Sequence, residues 1–203
     1  MASSRNTHID EEELLDAARE QLLAVGWRRT TMTDIARRAG VSRMTVYRRW
    51  PDLATLSADL MTREFTSLAT GHDDVDPAPT AAALAAVITR IARSIQGNAL
   101  FRKIVEVDPE LLLPYLLHRR GRTQDTLLAA VTARIERSQS TGAVRAGDPV
   151  LLARSALLLT YGFVFSSPTM ADLPGTRPGT AIDGEGHDLL FDELARALEG
   201  HFA

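Results

Sequence analysis

Apolar residues recur along most of this chain at steps of three and four, and no stretch alternates apolar with polar as a half-buried strand would. Leu14, Ala18, Leu22 and Val25 make the first such stripe. Asp10 and Glu13 stand ahead of it as N-cap and N3 of a capping box, Ile9 and Leu14 are placed to staple across the cap, and Gly26 follows as a left-handed C-cap. Thr31 and Asp34 repeat the capping relation for a short second helix with Ile35, Ala36 and Ala39, which Gly40 ends. Ser42 caps a third, in which Val46 and Trp50 share one face while Arg43, Met44, Tyr47 and Arg48 lie on the other. Pro51 stops that helix, and Asp52 caps a fourth that runs through Leu56, Leu60 and Phe65 to about residue 69.

After the turn-rich acidic joint GHDDVDPAP (71–79), helical patterning resumes at 81–96, 100–107, 110–118 and 122–138. Within the last of these Leu127, Leu128, Val131 and Ile135 fall on one stripe, opposite the charges of Arg134, Glu136 and Arg137. Gly142 and Gly147 frame a turn, and Asp148 caps a helix with Pro149 at its first position. That helix, 149–166, is apolar around most of its circumference, which predicts burial on more than one side. A final helix, 185–202, carries Leu189, Leu190, Leu194 and Leu198, and 168–186 reads as a long loop. The expected fold is all-α, with about nine helices: an N-terminal three-helix helix-turn-helix domain (1–51) and a C-terminal helical bundle (52–203).

Composition narrows the function. Among 203 residues, 45% apolar and 24% charged describe an ordinary soluble globule. No uninterrupted run reaches the roughly 18 apolar residues of a spanning segment. The N-terminus lacks an apolar stretch behind a basic one, so the expected location is the cytoplasm, with no membrane partner. Cysteine is absent, which removes disulfides, Cys-based zinc sites and thiol redox sensing. The net charge is −3, yet Gly26 to Trp50 holds seven arginines (28, 29, 37, 38, 43, 48 and 49) against the single acid Asp34, a net of +6 that leaves −9 on the remainder. A basic head on an acidic body suits a protein that meets phosphate with one face; charge alone fits equally a solvated arginine face.

The stretch TTMTDIARRAGVSRMTVYRRWPDLATL (30–56) resembles the helix-turn-helix of the TetR/AcrR family of bacterial transcriptional regulators. The resemblance rests on Thr30, Thr31 and Thr33, the Asp34-Ile35-Ala36 step, the Ala39-Gly40-Val41-Ser42 turn, Thr45-Val46-Tyr47, Trp50 and Leu56. It implies a repressor that binds a palindromic double-stranded operator and is released by a small, largely apolar effector. In that docking Thr33, Ser42, Thr45, Arg48 and Arg49 hold phosphate, Tyr47 meets phosphate or a thymine methyl, and Arg43 and Met44 reach base edges. The family commonly has a lysine at the position of Leu53; here that phosphate contact is missing. The other reading left open is a helical dimer without operator binding that acts through protein contacts.

The resemblance further implies a ligand cavity in the body and a homodimer formed by the last two helices. The side chains expected at the cavity are Phe65, Phe101, Ile104, Tyr115, Leu127, Tyr161 and Phe165; those expected at the dimer interface are Leu152, Ala156, Leu159, Phe163, Leu190, Leu194 and Leu198. Enzyme chemistry is not indicated. The five histidines (8, 72, 118, 187 and 201) form no HExxH, and His72 with Asp73, Asp74 and Asp76 reads as a solvated acidic linker. Gly142 to Asp148 lacks the lysine and strand of a phosphate loop, and Gly184-Glu185-Gly186 lacks a third glycine. No cofactor or metal is expected.

Overall fold

Ten α-helices, with no strand, make up the described residues of a computed structural model, which are 10–70, 79–171 and 185–203. They are α1 (Glu11–Val25), α2 (Met32–Arg38), α3 (Arg43–Arg49), α4 (Leu53–Thr70), α5 (Ala81–Gly97), α6 (Ala99–Val107), α7 (Leu113–Leu117), α8 (Arg122–Ser140), α9 (Pro149–Met170) and α10 (Glu185–Phe202). Local chemistry sets most of their starts. Thr31, Ser42, Thr80 and Asp148 each offer a side-chain oxygen to an amide of the following turn, and Asp52 does the same for Thr55. α1 departs from the expected capping box, because Asp10 accepts from the adjacent Glu11 amide (2.6 Å) rather than from Glu13. Ile9 and the 71–78 joint lie outside the described residues.

The chain forms two compact units, one of residues 1–64 with 99–122, the other of 65–98 with 123–203. The first is larger than a 1–51 head, because Leu100 and Ile104 of α6 close a core shared with Leu14, Ala18, Leu22, Ile35, Val46, Trp50, Leu56 and Leu60. Each buried leucine, isoleucine and valine of this set contributes about 1.5–3 kcal/mol by leaving water. The segment 110–118 is not one helix. Pro114 lacks the amide to continue it and its ring would meet the carbonyl of Glu110, so a 3₁₀ turn (Pro109–Leu111) ends and α7 restarts with Pro114 in its first turn.

In the second unit α5, α9 and α10 pack on one another. α9 meets the length and composition of a bilayer-crossing helix, although Arg154 and Ser155 interrupt its apolar runs; Leu152, Ala153, Ala156, Leu157 and Val164 pack inside this unit. It also runs four residues past the expected end, through Pro168. A proline there cannot donate to the carbonyl of Val164, and the carboxamide of buried Gln96 on α5 takes that place, its Nε2 lying 3.1 Å from Val164 O and 2.8 Å from Ser167 Oγ. Because Nε2 faces two acceptors, Oε1 faces the ring Nε2 of buried His187 on α10. On α10 the packed stripe is His187, Phe191, Leu194, Leu198 and Phe202, while Leu189, expected on it, is 51% exposed.

Candidate nucleic-acid interface

Two short helices and a turn make the site, and each junction is fixed by its own sequence. Thr31 Oγ1 accepts from the Asp34 amide (3.1 Å) and donates to the Asp34 carboxylate (2.6 Å). The hydrogen bond from that hydroxyl, against an opposing effect of desolvation and with the charge of Arg37 adding to it, holds the Asp34 carboxyl below the usual carboxylate range. α2 ends in a Schellman motif: the Val41 amide reaches Ala36 O (3.0 Å), the Gly40 amide reaches Arg37 O (3.2 Å), and Gly40 takes φ +69°, which a side chain would strain. Val41 packs on the core beside Ala36, closing the turn. Ser42 Oγ then accepts from the Thr45 amide (3.2 Å) and shares a hydrogen bond with Thr45 Oγ1 (3.0 Å), so both hydroxyls serve the cap of α3.

α3 is divided cleanly. Val46 and Trp50 are fully buried, and the Trp50 indole N–H donates to Asp59 Oδ2 on α4 (2.8 Å), whose other oxygen pairs with Arg122. Arg43, Met44, Tyr47, Arg48 and Arg49 are exposed, Met44 by 68%. Thr33 is exposed on α2 and Thr45 is half-buried. Seven of the eight side chains expected to meet DNA lie on α2 and α3, and the eighth, Ser42, is the N-cap of α3.

The charge of this region is smaller than the sequence window suggests. Arg28 pairs with Asp108 and Glu110, Arg37 with Asp34, Arg38 with Glu20, and Arg49 with Glu11. Glu110 is held below the usual range chiefly by hydrogen bonding to backbone and then by Arg28. Arg49, expected to hold phosphate, faces Glu11 in the DNA-free chain. Arg43 and Arg48 have no acid partner among the described residues, which leaves two unneutralised cations on the outer face of α3. No sequence signal points to Asp108 or Glu110, since both lie some eighty residues downstream. Leu53, in place of the family's lysine, packs half-buried on the core, so its side chain is committed to packing.

The side chains expected at a cavity are divided between the units. Phe101, Ile104 and Tyr115 belong to the first, where Ile104 is part of the core; Phe65, Leu127, Tyr161 and Phe165 belong to the second, with Tyr161 edge-on to Phe165. The side chains expected at the dimer interface differ in their exposure within the single chain. Leu152, Ala156, Leu194 and Leu198 are buried in their own unit, while Phe163 and Leu190 are half-buried and Leu159 is exposed. The large apolar side chains that α9 and α10 leave uncovered are Val150, Leu151, Leu158, Leu159, Met170 and Leu189. The described residues gather no group of three His, Asp or Glu for a metal.

The profile of bacterial regulatory proteins of the tetR family matches residues 14–57, the segment from α1 into α4. An HTH-type transcriptional regulator of Mycobacterium tuberculosis is 33% identical over 206 residues, covering 99% of each chain. The chain belongs to the tetR family of bacterial regulatory proteins. Two solved structures share its fold. One is the TetR-family repressor QsdR of R. erythropolis, with a TM-score of 0.65, 16% identity and 96% of each chain covered. The other is the regulator FadR of Bacillus subtilis in complex with stearoyl-CoA, with a TM-score of 0.65, 15% identity, and 96% and 100% covered. This tetR-family chain is a DNA-binding helix-turn-helix transcriptional regulator, not an enzyme.

Proposed function

We propose that the protein is a cytoplasmic homodimeric repressor that reads a palindromic operator with α3 and leaves it on binding a small, largely apolar effector. The observation that carries the operator reading is the outer face of α3, where Arg43, Met44, Tyr47 and Arg48 stand exposed while Val46 and Trp50 anchor the helix from behind. Arg43 and Met44, in the first turn, read base edges, with arginine matched to guanine O6 and N7. Tyr47, Arg48, Thr33 and the Ser42–Thr45 pair hold phosphate and set register. Residues 1–51 supply the DNA contacts, and 52–203 supply sensing and dimerisation.

A dimer is required because one seven-residue helix spans only a few base pairs, and half-sites pair by two-fold symmetry. The exposed Leu151, Leu158 and Leu159 of α9 and Leu189 of α10 supply an apolar surface for it. An apolar effector accords with the aromatic side chains of the body and with the acyl ligand held by FadR. Release follows if the effector binds better to the conformer whose two heads are wrongly spaced.

A mobility-shift assay against the gene's own upstream DNA tests this reading. The expected result is a shift that survives excess unrelated duplex and fades when an effector found by calorimetry over a panel of apolar compounds is added. Absence of any shift at low salt overturns the operator reading, and a shift indifferent to every bound compound overturns the release.

A further inference from the structure

Asp108, one residue past α6, is 1% exposed, and its carboxylate faces the turn between α1 and α2. Its Oδ2 accepts from the Trp27 amide at 2.8 Å, while Oδ1 is buried without a hydrogen bond and has the Arg28 Nε 3.7 Å away as its only cation among the described residues. Arg28 itself is held by Glu110, with Nε 2.8 Å from Oε1. The approach is close enough to constrain Gly26: a Cβ there would lie 3.1 Å from Asp108 Oδ2 and 3.3 Å from Val107, and φ is +78°. The turn then closes on itself, Thr30 donating its hydroxyl to Gly26 O (2.7 Å) and its amide to Trp27 O (2.9 Å), one residue before the Thr31 cap of α2.

We propose that Asp108 is a positioning residue for DNA recognition: from a segment some eighty residues downstream, it fixes the α1–α2 turn and so sets α2 and α3 against α1. A buried carboxylate that accepts a backbone amide tolerates little displacement, because moving it leaves both charge and amide unpaired. The DNA-binding unit is thereby discontinuous in sequence, and operator affinity depends on a side chain that touches no DNA.

The test uses the full-length chain with Asp108→Ala and Asp108→Asn. One measurement is amide hydrogen exchange at Trp27 and Thr30 against the amides of α9. The other is affinity for a duplex enriched by the parent protein from a random-sequence pool, against an unrelated duplex at the same salt. Asp108→Ala is expected to lose protection at Trp27 and Thr30 alone, and to weaken the enriched duplex roughly tenfold or more with the unrelated one within about twofold. Asp108→Asn, which keeps an acceptor oxygen, should retain most of both. Unchanged exchange in Asp108→Ala, an equal fall for both duplexes, or an asparagine variant as impaired as the alanine one overturns the proposal. If the pool yields no enriched sequence, operator reading fails, and the exchange result decides on Asp108 by itself.

Discussion

The indole N–H of Trp50 lies 2.8 Å from the carboxylate of Asp59, and this bond ties the C-terminal end of α3 to α4. Trp50 fills the first unit's core with its ring and spends its one polar atom on a charged acceptor, so the back of the recognition helix is fixed by packing and by direction at once. Trp50→Phe removes the donor and part of the ring. The expected loss is about 2–4 kcal/mol, read as a lower urea midpoint at unchanged slope. A loss under about 0.5 kcal/mol would mean that the bond contributes nothing.

Gln96 and Pro168 form a second testable pair. Gln96→Leu strands the Val164 carbonyl and the Ser167 hydroxyl, at an expected cost of at least about 2 kcal/mol. Pro168→Ala restores an amide that Val164 can accept, so it should stabilise the Gln96→Leu variant more than it stabilises the parent. Additive effects in this double-mutant cycle would show that the carboxamide does not replace the missing amide.

These two relationships mark where the sequence was legible and where it was not. Capping is local, so Thr31 with Asp34, Ser42 with Thr45 and Asp148 with Val150 were readable from spacing, and with them the outer face of α3. The end of α9 was unreadable, because Pro168 signals a stop and the compensating Gln96 stands on another helix. The inward face of α9 was equally hidden: a helix apolar on nearly every side has no period to choose Leu152 and Ala156 over Leu151 and Leu158. On α10 the leucine pattern correctly marks Leu194 and Leu198 but includes exposed Leu189 and omits Phe191 and Phe202, which complete the packed stripe. The charge window failed for a similar reason, since the acids that neutralise Arg28 arrive from a different part of the chain.

The uncovered leucines make a prediction about assembly. Leu158, 70% exposed in the single chain, should become buried in a dimer, and Leu158→Arg should give monomers in sedimentation velocity with weakened binding to a two-half-site operator. A variant that remains dimeric would move the interface elsewhere.

Acid should loosen the helix starts in the first unit. Asp34, Asp52 and Glu110 all have folded pKa values below their ordinary 3.8, 3.8 and 4.5, through hydrogen bonds from Thr31, from Thr55, and from backbone with Arg28. Their stabilisation is therefore complete above those ordinary values and is lost as pH falls through the lower folded ones. Melting temperature should stay level from neutral pH to about pH 5 and drop below about pH 4, with a shallower drop in Asp34→Asn. An identical acid profile in that variant would contradict the role given to the Thr31–Asp34 cap.

The most direct test of recognition by α3 is the operator affinity of Tyr47→Ala, measured by mobility shift alongside sedimentation of the same sample. Tyr47 is 44% exposed and takes no part in the core, so the variant should fold and dimerise as the parent does while specific binding is lost. Parent-like affinity for the operator would contradict the docking of this helix in the major groove.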